Sequence, residues 1–143
     1  RAFVDFLDAQ KDVDSKRQLG TFGYCMGGPM TFRTAGAEPS RIGAVASFHG
    51  GRLVVDGDAS PHRLIPSTNA GYLIAIAEND DEKEPETKNV LRQAFDDAGR
   101  DAEIEVYKGA LHGWCPPDSD VYHEEQAERA WSRLLALFER ELA

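Results

Sequence analysis

Apolar positions along this chain alternate between two patterns, and the alternation predicts the architecture. Continuous small or apolar runs predict strands over residues 17–24, 42–48 and 71–77, the last two as expected of strands covered on both faces. A fourth strand is predicted over residues 102–107. Helical spacing fills the intervals. Ala2, Phe3, Phe6 and Leu7 recur on one face of an opening helix, and residues 29–37 are helix-compatible. Val90, Leu91, Ala94, Phe95 and Ala98 predict an amphipathic helix over residues 84–98 closed by Gly99. Ala127, Ala130, Trp131, Leu134, Leu135, Phe138 and Leu142 form the stripe of a last helix, with Ser119 or Asp120 as candidate caps. Residues 50–69 are rich in Gly, Asp, Ser and Pro and predict a long loop, with a short buried turn at 63–65. Strands separated by helices imply crossover connections, a parallel sheet and an α/β fold.

Composition narrows the class. At 143 residues the chain has the length of one ordinary domain, and 41% hydrophobic with 29% charged residues suits a soluble globular protein. The net charge of −9 and the absence of a basic run argue against nucleic acid or an anionic membrane as partner. No apolar run approaches a membrane span. Two cysteines make no disulfide framework, so a reducing cytoplasm is the expected location. The chain opens at Arg1 inside a helical pattern that nothing caps. It is therefore expected to be the C-terminal portion of a longer protein.

The first strand runs into Gly23-Tyr24-Cys25-Met26-Gly27-Gly28. A Gly-x-Cys-x-Gly turn between strand and helix strains its central residue, and the flanking glycines are expected to leave room where strand and helix cross. Such a turn lifts its central side chain out at the C-terminal edge of a parallel sheet. In the serine version of this pattern that side chain is a nucleophile; here it is Cys25. A small buried hydrophobe is the alternative role for a free cysteine.

Ligands of open parallel sheets bind outside the carboxyl ends of the strands. After the second strand come His49-Gly50-Gly51-Arg52, after the third Glu78-Asn79-Asp80-Asp81, and after the fourth Gly109-Ala110-Leu111-His112-Gly113-Trp114. A thiol, a carboxylate and an imidazole thus follow one another at successive strand ends. That is the nucleophile, acid, histidine order of α/β-hydrolases.

On these motifs the chain resembles the C-terminal portion of the dienelactone hydrolase family, carboxymethylenebutenolidase-like α/β-hydrolases whose nucleophile is often Cys. The matching segments are Gly23-Tyr24-Cys25-Met26-Gly27-Gly28, Ala77-Glu78-Asn79-Asp80 and Gly109-Ala110-Leu111-His112-Gly113. The resemblance implies a single domain over residues 1–143 that lacks its N-terminal strands. It implies a small lactone or ester as substrate, and no cofactor. It also implies roles: Cys25 attacks a carbonyl, His112 moves the proton, and Asp80 orients the imidazole, with Asp81 as rival. Both carboxylates could instead cap a helix. The backbone N–H of Met26 would hold the oxyanion, together with a second donor from an earlier strand.

Other residues carry weaker expectations. His49 is a candidate pocket wall, Arg52 a candidate partner for a substrate carboxylate or an exposed loop residue, and Trp114 either a pocket wall or packing for the last helix. His112, Cys115 and His123 have poor spacing for a metal site. The strand ending at Tyr24 is expected to present an open edge, to be completed by the missing N-terminal half or by a second chain. A non-catalytic or thiol-sensing module on the same scaffold is the alternative to a lactonase, and a thioesterase or carboxylesterase is not separable from it by these residues.

Overall fold

In the computed structural model, which describes residues 1–143, four strands form one parallel sheet in the order β1-β2-β3-β4. β1 spans Leu19–Tyr24, β2 Ile42–Phe48, β3 Gly71–Ala77 and β4 Ala102–Tyr107. The helices are α1 (Ala2–Asp8), α2 (Gly27–Ala37), α3 (Glu78–Lys83), α4 (Thr87–Asp97) and α5 (Glu124–Leu142), with a 3₁₀ helix at Pro61–Ser67 inside the predicted long loop.

Strand alternation feeds two cores, one on each face of the sheet. Ala44, Ala46, Phe48, Leu73, Ala75, Ala77 and Tyr107 pack against Ala130, Leu134 and Leu137 of α5. On the opposite face Val45, Tyr72 and Ile74 meet Phe32 and Ala35 of α2, Ile65 of the 3₁₀ helix, and Leu91 and Phe95 of α4. Simple alternation would put Ile42 beside Ala44. The register slips between Leu19↔Ile42 and Gly20↔Ala44, so Gly43 is an extra residue and Ile42 turns to the α2 face.

Three predicted elements are corrected. The helix expected over residues 84–98 begins only at Thr87, as α4, because Glu84 precedes Pro85 and is driven out of the helical region (φ −131°, ψ 62°). The Glu78–Asp81 segment, expected as loop, is the first turn of α3. α5 starts later than Ser119 or Asp120 imply. Ser119 is spent in a turn in which Tyr122 N–H donates to its carbonyl, and His123 is the cap, its Nδ1 accepting from Gln126 N–H at 3.4 Å. α1 also departs from its predicted face. Only Val4 is buried, while Phe3 and Phe6 are 86% and 63% exposed.

β1 lies at a sheet edge and pairs only with β2. Phe22 and Tyr24 stand partly exposed on it, and exposed Trp131 of α5 lines a concavity together with Tyr24.

Candidate active site

Cys25 follows β1 with φ +51°, a left-handed conformation costly for a non-glycine residue. The chain reverses so sharply there that a Cβ on Gly23 would lie 2.6 Å from the backbone C and O of Gly27. Gly27 itself meets nothing, contrary to the expectation that both flanking glycines are sterically required. The second crowded glycine is Gly28, where a Cβ would lie 2.4 Å from Ser47 Oγ and 2.7 Å from Gly50 Cα. Glycines therefore let the N-terminus of α2 sit against the end of β2.

Those contacts leave the Cys25 thiol exposed at the carboxyl rim of the sheet. The next N–H, that of Met26, precedes α2 and has no acceptor inside the protein, while Gly28 N–H closes the turn onto the Cys25 carbonyl at 3.1 Å. An unpaired N–H at a helix N-terminus is suited to an oxyanion.

The acid and the base meet directly. His112 Nδ1 lies 2.6 Å from Asp80 Oδ2. Asp81, the rival, binds Lys88 Nζ at 2.6 Å. Two residues not singled out as site residues hold the histidine loop to β3. Asn79 Oδ1 accepts the His112 N–H at 2.8 Å, and Glu78 Oε2 accepts the Gly109 N–H at 3.2 Å. Their sequence signals are a place at the end of β3 and a position inside Ala77-Glu78-Asn79-Asp80, one of the segments on which the resemblance rests. Gly109 and Gly113 bracket the imidazole with φ of +78° and +95°, so glycine suits both bends of that loop.

His49 is not a pocket wall. It is 3% exposed and lies beneath the rim, between the two halves of the site. Cys25 N–H donates both to the Phe48 carbonyl at 3.1 Å and to His49 Nδ1 at 3.2 Å. The His49 ring stands 4.8 Å from the ring of His112 and 5.1 Å from that of Trp114. Burial, then the neighbouring His112, pushes the His49 pKa down to about 4, so the ring is uncharged at neutral pH. Asp80 and His112 are thus in contact, and Cys25 reaches them through His49; its thiol makes no hydrogen bond to His112.

Trp114 is fully buried, stacked on Tyr107 at 5.3 Å and packed with α5, so it supports the rim from inside the core. Arg52 is exposed with φ +59° and lines a cavity of about 150 Å³ with Gly50, Gly51, Asp80 and Asp81. A second concavity, about 220 Å³ and mostly apolar, opens beside Tyr24, Phe48, Cys115 and Trp131. Burial pushes the Cys115 thiol up to about 12. No three His, Cys, Asp or Glu side chains converge as metal ligands, and no helix is long and apolar enough to cross a membrane.

The sequence matches the dienelactone hydrolase family over residues 1–142. This chain belongs to the dienelactone hydrolase family. Among curated members, a Salmonella typhi protein named "Putative carboxymethylenebutenolidase" is 31% identical over 134 residues, covering 91% of this chain and 49% of that one. "Protein usf" of Aquifex pyrophilus is 27% identical, over 99% of this chain and 59% of its own. The solved structure of a "Putative Dienelactone Hydrolase" from Klebsiella pneumoniae superposes with a TM-score of 0.82 at 29% identity, covering 96% of this chain and 57% of that one. The parallel sheet with helices on both faces is the α/β-hydrolase arrangement of this family. The chain spans about half the length of the Salmonella relative.

Proposed function

We propose that this chain carries the catalytic rim of a hydrolase that opens a small lactone or ester, of the dienelactone type, through Cys25, His112 and Asp80. The observation that carries the reading is the 2.6 Å contact of His112 Nδ1 with Asp80 Oδ2, on the same rim as a cysteine held at φ +51°. Nucleophile–base contacts are commonly long before substrate binds and tighten in the complex.

In the reaction His112 takes the Cys25 proton, and the thiolate adds to the carbonyl carbon. The Met26 N–H receives the resulting oxyanion. The C–O bond then breaks, His112 returns the proton to the leaving oxygen, and a thioester remains on Cys25. For a dienelactone, the released enol becomes a keto acid. Water deprotonated by His112 attacks the thioester, the acid leaves, and the thiol is restored. Asp80 keeps the imidazole in one orientation and balances its charge while it holds the proton. No cofactor takes part in this scheme.

The exposed Cys25 thiol suits a reducing compartment such as the cytoplasm. We also propose that further polypeptide pairs along β1. Phe22 and Tyr24 are exposed on that edge, with exposed Trp131 beside Tyr24, and pairing there would supply the second oxyanion donor and the remaining pocket walls.

The test is loss of the ultraviolet absorbance of a dienelactone with the full-length protein, set against Cys25→Ser and His112→Ala. Turnover should fall at least about 10³-fold in each. Turnover unchanged in either variant ends the reading. The alternative, a thiol sensor, draws on the exposure of Cys25. It would give a sulfenic acid at Cys25 on peroxide treatment and no acyl-enzyme with an activated ester.

A further inference from the structure

One side chain beneath the rim has no place in that scheme. His49 sits at the end of β2 with φ +41°, its N–H continuing the ladder to the Ala75 carbonyl at 2.8 Å. The left-handed turn brings the ring back under the elbow. Gly50 makes this possible, since a Cβ there would lie 2.2 Å from Ser47 Oγ.

We infer that His49 is a positioning residue, an uncharged hydrogen-bond acceptor that locks the strained Cys25 elbow and props the imidazole of His112. The assignment of function rests on the hydrolase reading above; the geometry does not. Nδ1 accepts the Cys25 N–H at 3.2 Å, so in the neutral ring the proton lies on Nε2. Nε2 is buried without a partner, a cost the fold carries for no gain in packing that a phenyl ring would not also bring. What the imidazole offers beyond a phenyl ring is the acceptor. It shares the Cys25 N–H with the Phe48 carbonyl and so fixes the peptide plane between Tyr24 and Cys25. That plane decides whether Sγ stays raised on the rim or relaxes with the left-handed strain.

Absence of charge is the second requirement. The ring lies 4.8 Å from that of His112, 5.8 Å from that of Tyr24 and 5.1 Å from that of Trp114. Among these neighbours only His112 becomes cationic during the proposed cycle, and a second cation beside it would oppose proton transfer from Cys25. Asp80, beyond His112, is the one carboxylate that favours a positive His49, and burial with His112 outweighs it.

The experiment compares wild type, His49→Asn and His49→Phe in the full-length protein. Asn offers Oδ1 near the place of Nδ1; Phe keeps the ring and removes the acceptor. Two readouts are taken: the rate of Cys25 alkylation by iodoacetamide, and kcat and KM for p-nitrophenyl acetate. His49→Phe should slow alkylation and kcat about tenfold with KM within about twofold, the scale of one lost positioning hydrogen bond. His49→Asn should restore both to within about threefold. If circular dichroism shows that the Phe variant does not fold, His49→Leu replaces it. Alkylation equal to wild type in the variant without an acceptor, or an Asn variant as slow as it, overturns the inference. If the wild type is alkylated but hydrolyses no ester, the hydrolase reading fails alone, and alkylation still judges His49.

Discussion

Asp80 Oδ2 and His112 Nδ1 meet at 2.6 Å across 32 positions of the chain, one from the first turn of α3 and the other from the loop after β4. The adjacent carboxylate is committed elsewhere, to Lys88. Removing the charge of each therefore separates an orienting carboxylate from a structural one. Asp80→Asn should lower kcat for p-nitrophenyl acetate by about 10²- to 10⁴-fold, because the amide reverses the tautomer preference of the imidazole. Asp81→Asn should leave kcat within about threefold and cost at most about 1 kcal/mol of stability. Equal losses in the two variants would remove the distinction.

The elbow glycines make unequal predictions although they read alike in the chain. Gly23→Ala and Gly28→Ala place a methyl 2.6 Å and 2.7 Å from backbone atoms of Gly27 and Gly50, so each should destabilise by about 1–3 kcal/mol in urea unfolding. Gly27→Ala points into open space and should change stability by less than about 1 kcal/mol in either direction. A Gly27→Ala variant less stable than Gly23→Ala would show that the turn is built differently.

The two thiols should separate in reactivity. Cys115 is held near 12 by burial, so at pH 8 its thiolate amounts to about one part in ten thousand. Cys25 is exposed on the rim. Mass spectrometry after brief iodoacetamide treatment at pH 8 should find one carbamidomethyl group, on Cys25. Modification of Cys115 at a similar rate would mean that the loop after β4 opens in solution.

How much of this was legible in the residues follows from what each feature depends on. β2, β3 and β4 have the predicted bounds because an apolar run between Gly, Pro and polar turns defines a buried strand locally. The order of Cys25, Asp80 and His112 along the rim is legible too, since a parallel sheet sends every strand end to one edge. α3 is not legible because Glu78, Asn79, Asp80 and Asp81 bury no residue and so show no apolar period. The cap of α5 is not legible because histidine seldom caps; only the turn that consumes Ser119 leaves His123 the task. The sequence suggests a pocket wall for His49 because nothing in its own neighbourhood announces a left-handed bend. Its position depends on Gly28, Ser47 and Gly50 closing together from two elements.

That buried ring also predicts the acid side of the stability curve. Folding lowers the His49 pKa from 6.5 to about 4, so between those values the unfolded chain binds a proton that the folded chain refuses. Stability therefore rises with pH through this window and falls as pH drops from about 6.5 toward 4. A shift of that size corresponds to about 3 kcal/mol at the foot of the window, less whatever the fold recovers by relaxing around the charge. Urea unfolding of wild type at pH 7 and pH 4.5 should differ by about 2–3 kcal/mol more than the same pair of measurements on His49→Asn, which has nothing to protonate there. Carboxylates titrate in both proteins and largely cancel in the difference. Identical pH dependence in the two proteins would mean that folding does not lower the His49 pKa and that the ring is not held neutral.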